Sequence, residues 1–285
     1  MRVSLFLLAG TLALAGCEQQ PEGKPVARAK IDGDKVVAVG GETAQQDAPA
    51  PSIATQVESP CRSVIFENTS LTHCLAVPSR HRITMRLARR NGENIRSLDN
   101  LSEEVSVGSV AFAVNGGMFD DAGDPVGYYV ENSQRLQTLN TADGEGNFHM
   151  KPNGVFFGSD GSWEIRTSED FLANVSDRPQ FGTQSGPMLV VGGKLHPDIA
   201  RDGESRLVRN GVGVDSQGRA HFVISNAPVS FGKLARFFKD ELDTPNALFL
   251  DGNVSALWVP ATGRVDTGNA LGPFIVVEKK QDETE

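Results

Sequence analysis

The sequence predicts a strand-rich α+β fold, a single domain with a mixed sheet and a few helices. Short apolar runs recur along most of the chain, glycine-containing turns separate many of them, and helical spacing is confined to a few segments. No internal repeat is evident in this pattern. The runs predicted as buried strands are 110–114, 128–130, 154–157, 188–191, 211–214, 221–224, 247–250 and 274–277.

A half-exposed strand is predicted before these runs. Ile83, Met85 and Leu87 alternate with polar residues, which is the period of a strand with one buried face. The arginines of this region, including Arg82 and Arg86, occupy the outward positions. We therefore interpret them as a solvated strand face rather than a phosphate-binding patch.

Three helices are expected among the strands. Residues 97–104 predict a short one, and Ser168 followed by two acidic residues predicts a second that runs to about Val175. A third is predicted between Ser230, as its N-cap, and Pro245, because apolar residues recur there at helical spacing. The residues of that apolar stripe are Phe231, Leu234, Phe237, Phe238 and Leu242.

The N-terminus resembles a bacterial lipoprotein signal. Residues 1–16 have a basic start and a short apolar run, and residues 14–17 read Leu-Ala-Gly-Cys. The resemblance implies cleavage before Cys17 and lipidation of that residue; an ordinary signal peptide or an uncleaved anchor is the alternative. Glu18, where an aspartate would signal inner-membrane retention, favours the outer membrane. We expect a periplasm-facing lipoprotein of the bacterial cell envelope.

Three further segments follow the signal. Residues 17–59 are rich in Pro, Ala, Gln, Gly and Glu, so we predict a lipidated cysteine and a flexible tether that cannot bury enough apolar surface to fold. The mildly apolar stretch 31–39 is included in this tether, and pairing of that stretch as a strand is the alternative. Residues 60–279 suit one folded domain, and 280–285 form a tail.

The charge balance limits the partners. The chain has 27 basic and 36 acidic residues, a net charge of −9. This acidity argues against nucleic acid, which requires a basic footprint, and against broad contact with anionic lipid headgroups. We expect contact with the membrane through the lipid anchor only.

With Cys17 assigned to the lipid, one pair of cysteines remains. Cys61 and Cys74 are close in sequence in an exported chain, so we predict a disulfide that closes the first hairpin of the domain. Closing so short a loop contributes about 3 kcal/mol to stability. Metal binding by the pair is the alternative.

Several catalytic and binding motifs are absent. The five histidines, which we interpret as surface or loop residues, show no zinc-site spacing, and neither a Gly-x-Ser-x-Gly elbow nor a phosphate-binding Gly-x-x-x-x-Gly-Lys loop occurs. Ser230 and Lys233 have the Ser-x-x-Lys spacing of some nucleophile–base pairs. The companion motifs are missing, so the role of Ser230 as a helix cap is preferred.

One acidic turn could hold a cation. Asp120, Asp121 and Asp124 lie close together, and clustered carboxylates suit Ca²⁺. The turn lacks the terminal Glu of a full calcium-binding loop, and a solvated acidic turn is the preferred interpretation. The sequence thus requires no cofactor, with Ca²⁺ as the alternative.

Small polar residues and glycines follow several predicted strands. A buried strand that ends in glycine can turn sharply and approach a ligand closely. We expect these strand ends to form one polar site, although Asn, Asp, Gly and Ser are also ordinary turn formers. The members are Asn115, Gly116, Gly117, Asp120, Asn153, Ser185, Gly186, Arg209, Asn210, Asp251, Gly252, Asn253 and Ser255.

These motifs resemble the phosphodiester glycosidase domain family, to which the lysosomal uncovering enzyme belongs. The resemblance covers residues 61 to 278 and is nearest to a bacterial envelope branch. Two departures concern Asp251-Gly252-Asn253-Val254-Ser255, where the uncovering-enzyme branch reads Asp-Gly-Gly-Gly-Ser, and Arg209-Asn210, where the family has Arg-Thr. The motifs that carry it are Asn115-Gly116-Gly117-Met118-Phe119, Ser185-Gly186-Pro187, Arg209-Asn210-Gly211-Val212-Gly213 and Leu250-Asp251-Gly252.

The resemblance implies a glycosidase that hydrolyses the sugar–phosphate C–O bond of glycosyl phosphodiesters or a related envelope glycan bond. Asp251 would activate water or attack the anomeric carbon. Arg209 and the glycine amides near 116 and 186 would bind phosphate. The other residues of the expected substrate-binding set are Asn115, Asn153, Ser185, Asn210, Gly252, Asn253 and Ser255, of which Asn115, Asn210 and Ser255 would position sugar hydroxyls.

Two other functions remain open at this point. A glycan-binding lipoprotein without hydrolytic activity is favoured by the altered turn at Asn253 and Val254. A metal-dependent phosphodiesterase would act on the P–O bond, with the carboxylates of Asp120, Asp121 and Asp124 as ligands.

Overall fold

A computed structural model describes residues 29–32, 35–38, 59–251 and 254–280. The chain divides into two units, residues 1–56 and 57–285. The predicted signal, Cys17, most of the tether, Gly252, Asn253 and the end of the tail lie outside the described residues.

The described part of the first unit is an antiparallel hairpin of β1 (Ala29–Asp32) and β2 (Lys35–Ala38). It overlaps the mildly apolar stretch 31–39, for which the sequence left strand pairing open inside the predicted tether. Ile31, Val36 and Val37 are β-branched, and such residues favour strands even in a polar segment.

The second unit is dominated by strands, as the sequence predicted. Each run expected to be a buried strand forms one. The strands are β3 (Cys61–Phe66), β4 (Thr69–Ala76), β5 (His81–Arg86), β6 (Val110–Asn115), β7 (Tyr129–Glu131), β8 (Gln134–Gln137), β9 (Gly154–Ser159), β10 (Ser162–Thr167), β11 (Phe181–Ser185), β12 (Met188–Val191), β13 (Lys194–Leu195), β14 (Asn210–Val214), β15 (Ala220–Ser225), β16 (Asn246–Phe249), β17 (Leu257–Val259), β18 (Arg264–Val265) and β19 (Phe274–Lys279).

These strands form one seven-stranded and two five-stranded sheets. The orders are β13-β12-β16-β14-β15-β4-β3, β18-β17-β6-β19-β5 and β10-β9-β11-β7-β8. The strand-rich α+β class is confirmed. In detail, each strand pairing among the described residues is antiparallel, whereas we expected a mixed sheet. Many consecutive strands are joined by hairpins too short for the crossover that a parallel pair requires.

The three predicted helices are present, although short. Helix α1 (Leu98–Glu104) is capped by Ser97, α2 (Ser168–Asn174) by Thr167 rather than Ser168, and α3 (Phe231–Arg236) by Ser230. Helix α3 continues as a π-helical turn, Phe237–Glu241. Single 3₁₀ turns occupy Val107–Ser109, Asn147–His149 and Pro260–Thr262. Within the described segments, no helix is both long and apolar enough to cross a membrane.

One aromatic residue joins the cores of all three sheets. Phe222 of β15 makes edge-on contacts with Phe112 of β6, at 5.3 Å between ring centroids, and with Phe156 of β9, at 5.9 Å. All three rings are buried. Helix α3 covers the opposite face of the seven-stranded sheet, where Phe238 packs close to Gly211 of β14.

The predicted disulfide is confirmed. Cys61 and Cys74 are bonded, and they lie directly opposite each other on β3 and β4. The bond closes the first hairpin of the second unit, at the edge of the seven-stranded sheet.

The central position of Phe222 generates a stability prediction. Replacing it with alanine leaves a cavity where three sheets meet, so the free energy of unfolding should fall by about 3–5 kcal/mol. Chemical denaturation measures this change. The control is L172A on the exposed side of α2, which should alter stability by no more than about 0.5 kcal/mol. Equal effects of the two substitutions would contradict this account of the core.

Candidate active site

The polar strand ends predicted from the sequence converge where the three sheets meet. Strand β6 ends at Asn115, β11 ends at Ser185, and β14 begins at Asn210. The chain leaves β16 through Leu250, whose amide donates to the carbonyl oxygen of Asn210 at 3.3 Å. The hydroxyl of Ser185 donates to the carbonyl oxygen of Leu250 at 2.5 Å. Each sheet therefore contributes one polar end to the same place.

Two buried asparagines form the centre of this cluster. Nδ2 of Asn210 donates to Oδ1 of Asn115 at 2.8 Å. The same Oδ1 accepts from the amide of Ala256 at 2.9 Å, and Oδ1 of Asn210 accepts from the amide of Asp251 at 3.1 Å. Both asparagines are 1% exposed. Nδ2 of Asn115 has no hydrogen-bond partner among the described residues.

Asp251 directly follows Leu250, and we refer to the described residues 251 and 254–256 as the turn. Its neighbour Leu250 is fully buried, and Asp251 itself is 8% exposed. The hydroxyl of Ser255 donates to the carbonyl oxygen of Asp251 at 2.6 Å and ties the turn across. The backbone of Asp251 is thus held by two hydrogen bonds just after a buried strand.

Arg209 is fully buried, on the other face of the seven-stranded sheet from Asn210. Its guanidinium stacks 3.7 Å from the ring centroid of Phe231, and Nε donates to the carbonyl oxygen of Val229 at 3.0 Å. Nη2 donates to the hydroxyl of Ser205 at 3.0 Å. Nη1 has no hydrogen-bond partner in the described part of the chain. Burial lowers the pKa of Arg209 to about 10, so the side chain remains a cation at neutral pH.

The backbone amides of the two glycines after Asn115 donate hydrogen bonds to groups inside the protein. The amide of Gly116 donates to the carbonyl oxygen of Pro273 at 2.6 Å, and that of Gly117 donates to the hydroxyl of Thr183 at 3.1 Å. These bonds correct the expectation that both amides face a phosphate. A side chain on Gly117 would lie 2.2 Å from the carbonyl oxygen of Gln184, so close packing of β6 against β11 explains the glycine.

Gly186 and Asn153 also pack tightly near this point. A Cβ on Gly186 would lie 2.7 Å from the carbonyl oxygen of Phe148 and 2.8 Å from Cβ of Asn153. Nδ2 of Asn153 donates to that same carbonyl at 2.9 Å. Here the two predicted residues hold segment 147–153 against the end of β11.

The acidic turn is not arranged as a ligand set. Asp120, Asp121 and Asp124 are exposed, and Oδ1 of Asp120 accepts from the amide of Asp124 at 2.9 Å. Among the residues that the structure describes, no group of three or more His, Cys, Asp or Glu side chains could hold a metal ion. The carboxylate of Asp120 therefore stabilises the turn itself, whereas that of Asp124 accepts from Nδ2 of Asn94 at 3.2 Å.

Sequence reasoning missed Gln184, a buried residue that joins several loops. Its Oε1 accepts from the amides of Tyr128 and Asn140, both at 2.9 Å. Its Nε2 donates to the hydroxyl of Ser168 at 2.9 Å. The signal in the sequence was a glutamine in a short stretch that forms a fully buried strand.

The expectation that the histidines are surface or loop residues was wrong for His73, His81 and His221, which lie in strands. His73, His81, His196 and His221 are buried. Nε2 of His73 lies 3.0 Å from Nδ1 of His221, and Nε2 of His221 lies 3.0 Å from Oδ2 of Asp215. Burial lowers the pKa of His73 to about 4, with further lowering from the charges of His221 and Arg62.

A comparison with models of protein families shows the family to which this chain belongs. The model of the phosphodiester glycosidase family matches residues 108–277, from the start of β6 into β19. The chain belongs to the phosphodiester glycosidase family. The match contains Asn115, Ser185, Asn210 and Asp251, the residues that the structure brings together, and the resemblance stated from the sequence is confirmed.

One sequence relative and one solved structure show what this chain is similar to. The uncharacterized protein YigE of Escherichia coli K12 is 37% identical over 183 residues, which cover 64% of this chain and 71% of YigE. The catalytic domain of zebrafish N-acetylglucosamine-1-phosphodiester alpha-N-acetylglucosaminidase has 12% identity and a TM-score of 0.53, covering 77% of this chain and 82% of that domain. At this identity the zebrafish structure establishes the shared fold.

The buried histidines generate a pH prediction. Unfolded His73 takes up a proton near pH 6.5, whereas the folded residue does so near pH 4, so stability should decline as the pH falls through this window. One such group contributes at most about 1.4 kcal/mol per pH unit. H73Q should reduce the slope, as measured by urea denaturation between pH 6.5 and pH 4.5. The same slope in H73Q and in the unmodified protein would disprove the contribution of His73.

Proposed function

We propose that the chain is a glycosidase that hydrolyses the sugar–phosphate C–O bond of glycosyl phosphodiesters. The observation that carries this proposal is the position of Asp251. It follows a buried strand, lies on a turn held at both ends by buried asparagines, and falls within the region matched by the family model.

The chemistry needs a carboxylate more than a strong acid. Cleavage of the C–O bond releases a phosphomonoester, which is a good leaving group, so its protonation is less necessary than in the hydrolysis of an ordinary glycoside. Asp251 would either deprotonate the attacking water or attack the anomeric carbon directly. Its small exposed fraction strengthens interactions with a positively charged transition state.

Arg209 is proposed to support binding of the phosphate. It directly precedes Asn210, it stays protonated, and one of its N–H groups is not used by the described residues. Since the guanidinium is fully buried, it acts on the phosphate through its positive potential. The amides of Gly116 and Gly117 are not available for the phosphate, because both already donate inside the protein.

The first substrate class to test is an N-acetylglucosamine 1-phosphodiester. The zebrafish enzyme is named for that substrate, and its catalytic domain has the same fold as this chain. The shared fold does not define the sugar, so a panel of sugar phosphodiesters belongs in the same assay.

We further propose that the protein is an exported lipoprotein that faces the periplasm. The lipoprotein-like residues 14–17 support this location. The bonded pair Cys61–Cys74 also supports it, because disulfides persist in oxidising compartments such as the periplasm.

A binding function without hydrolysis is the second candidate. Val254, where the uncovering-enzyme branch has glycine, packs against an apolar cluster that includes Trp258. A turn fixed by such packing leaves less room for the backbone to approach a phosphate.

The decisive variant is D251N, which keeps the size of the side chain and removes its charge. We expect hydrolysis of N-acetylglucosamine 1-phosphodiesters to fall by about 10²–10⁴-fold, because a neutral amide cannot act as base or nucleophile. Release of free sugar and phosphomonoester measures the rate. The matched control D120N changes an exposed turn and should retain full activity.

Full activity of D251N would disprove the role of Asp251. A folded protein that binds the sugar phosphodiesters and turns none of them over would instead favour the glycan-binding function.

A further inference from the structure

The two buried asparagines have a role different from the one expected from the sequence. We infer that Asn115 and Asn210 are positioning residues, which hold the backbone at Ala256 and Asp251 and so place Asp251. This inference rests on the proposed function for its catalytic meaning, whereas its structural part can be tested without turnover.

Each end of the turn is held by one side-chain oxygen. The amide of Asp251 donates to Oδ1 of Asn210 at 3.1 Å, and the amide of Ala256 donates to Oδ1 of Asn115 at 2.9 Å. The bond from Nδ2 of Asn210 to Oδ1 of Asn115, at 2.8 Å, then links the two anchors. A single chain of hydrogen bonds thus joins the first residue of the turn to the last.

The anchors belong to different sheets. Asn210 begins β14 in the seven-stranded sheet, and Asn115 ends β6 in a five-stranded sheet. Both side chains are buried, so water does not replace a lost bond easily. The turn is therefore tied to the relative placement of two sheets in addition to the local bond from Ser255 to Asp251.

The chemistry of the bonds explains why amides occupy these positions. Asn210 must donate and accept at the same time, which neither aspartate nor an aliphatic residue can do. Asn115 uses only its oxygen, since its Nδ2 has no partner among the described residues. An aspartate at position 115 therefore retains both acceptor bonds, whereas an alanine loses both.

This difference separates positioning from sugar binding. If Asn115 served only to donate Nδ2 to a sugar hydroxyl, N115D and N115A would both lose that donor, and neither would change the protection of the Ala256 amide. If it serves to position the turn, N115D preserves the protection of the Ala256 amide and N115A loses it. The variant N115D thus also keeps the test informative if N115A folds poorly.

The experiment is amide hydrogen exchange, resolved by residue, on the full chain and its variants. We expect exchange of the Asp251 amide to accelerate tenfold or more in N210A, and that of the Ala256 amide to do so in N115A but not in N115D. The control N226A alters an exposed asparagine that bonds Thr72 and Ser70, and it should leave both amides protected. Unchanged exchange of both amides in N210A and N115A would overturn the inference.

Measurement of kcat and KM then tests whether the hydrogen bonds of Asn210 place the carboxylate of Asp251 for catalysis. Displacement of the carboxylate lowers kcat and leaves KM nearly constant, whereas loss of a sugar contact raises KM. We expect a fall in kcat of at least tenfold for N210A, and a change confined to KM would overturn its positioning role. If the unmodified protein shows no turnover while the exchange results hold, the proposed function and the catalytic meaning fail together, and the structural link stands.

Discussion

The candidate site depends on one buried hydrogen bond, from Nδ2 of Asn210 to Oδ1 of Asn115. It joins the seven-stranded sheet to a five-stranded sheet at the point where both carry polar ends. Breaking this bond would leave Nδ2 of Asn210 buried without a partner and cost free energy, so the bond constrains how the two sheets meet. The turn with Asp251 is attached to the same two side chains, and its position follows from the packing of the sheets.

The third sheet is fastened to the same place by different contacts. The hydroxyl of Ser185 binds the backbone of Leu250, and the hydroxyl of Thr183 binds that of Gly117. Phe222 of the seven-stranded sheet also joins the three sheets, because its ring contacts Phe112 and Phe156 in the two five-stranded sheets. A rigid scaffold of this kind suits chemistry that requires a carboxylate in a fixed position.

The sequence predicted the fold class, the buried strands and the meeting of polar strand ends, because these depend on local periodicity and turn chemistry. It could not show that Arg209 packs on one face of the sheet against Phe231 while Asn210 bonds Asn115 on the other. Nor could it show that the amides of Gly116 and Gly117 donate to groups inside the protein. Such facts depend on which strands become neighbours. His221 and Gln184 were missed for the same reason, since their partners are distant in sequence.

The central claim is that the chain breaks the bond between the sugar carbon and the phosphate oxygen. Hydrolysis of an N-acetylglucosamine 1-phosphodiester in water labelled with oxygen-18 tests it most directly, with both products analysed by mass spectrometry. Attack at the anomeric carbon, aided by Asp251, predicts label in the released sugar and none in the phosphomonoester. Label in the phosphomonoester would show P–O cleavage and contradict the account.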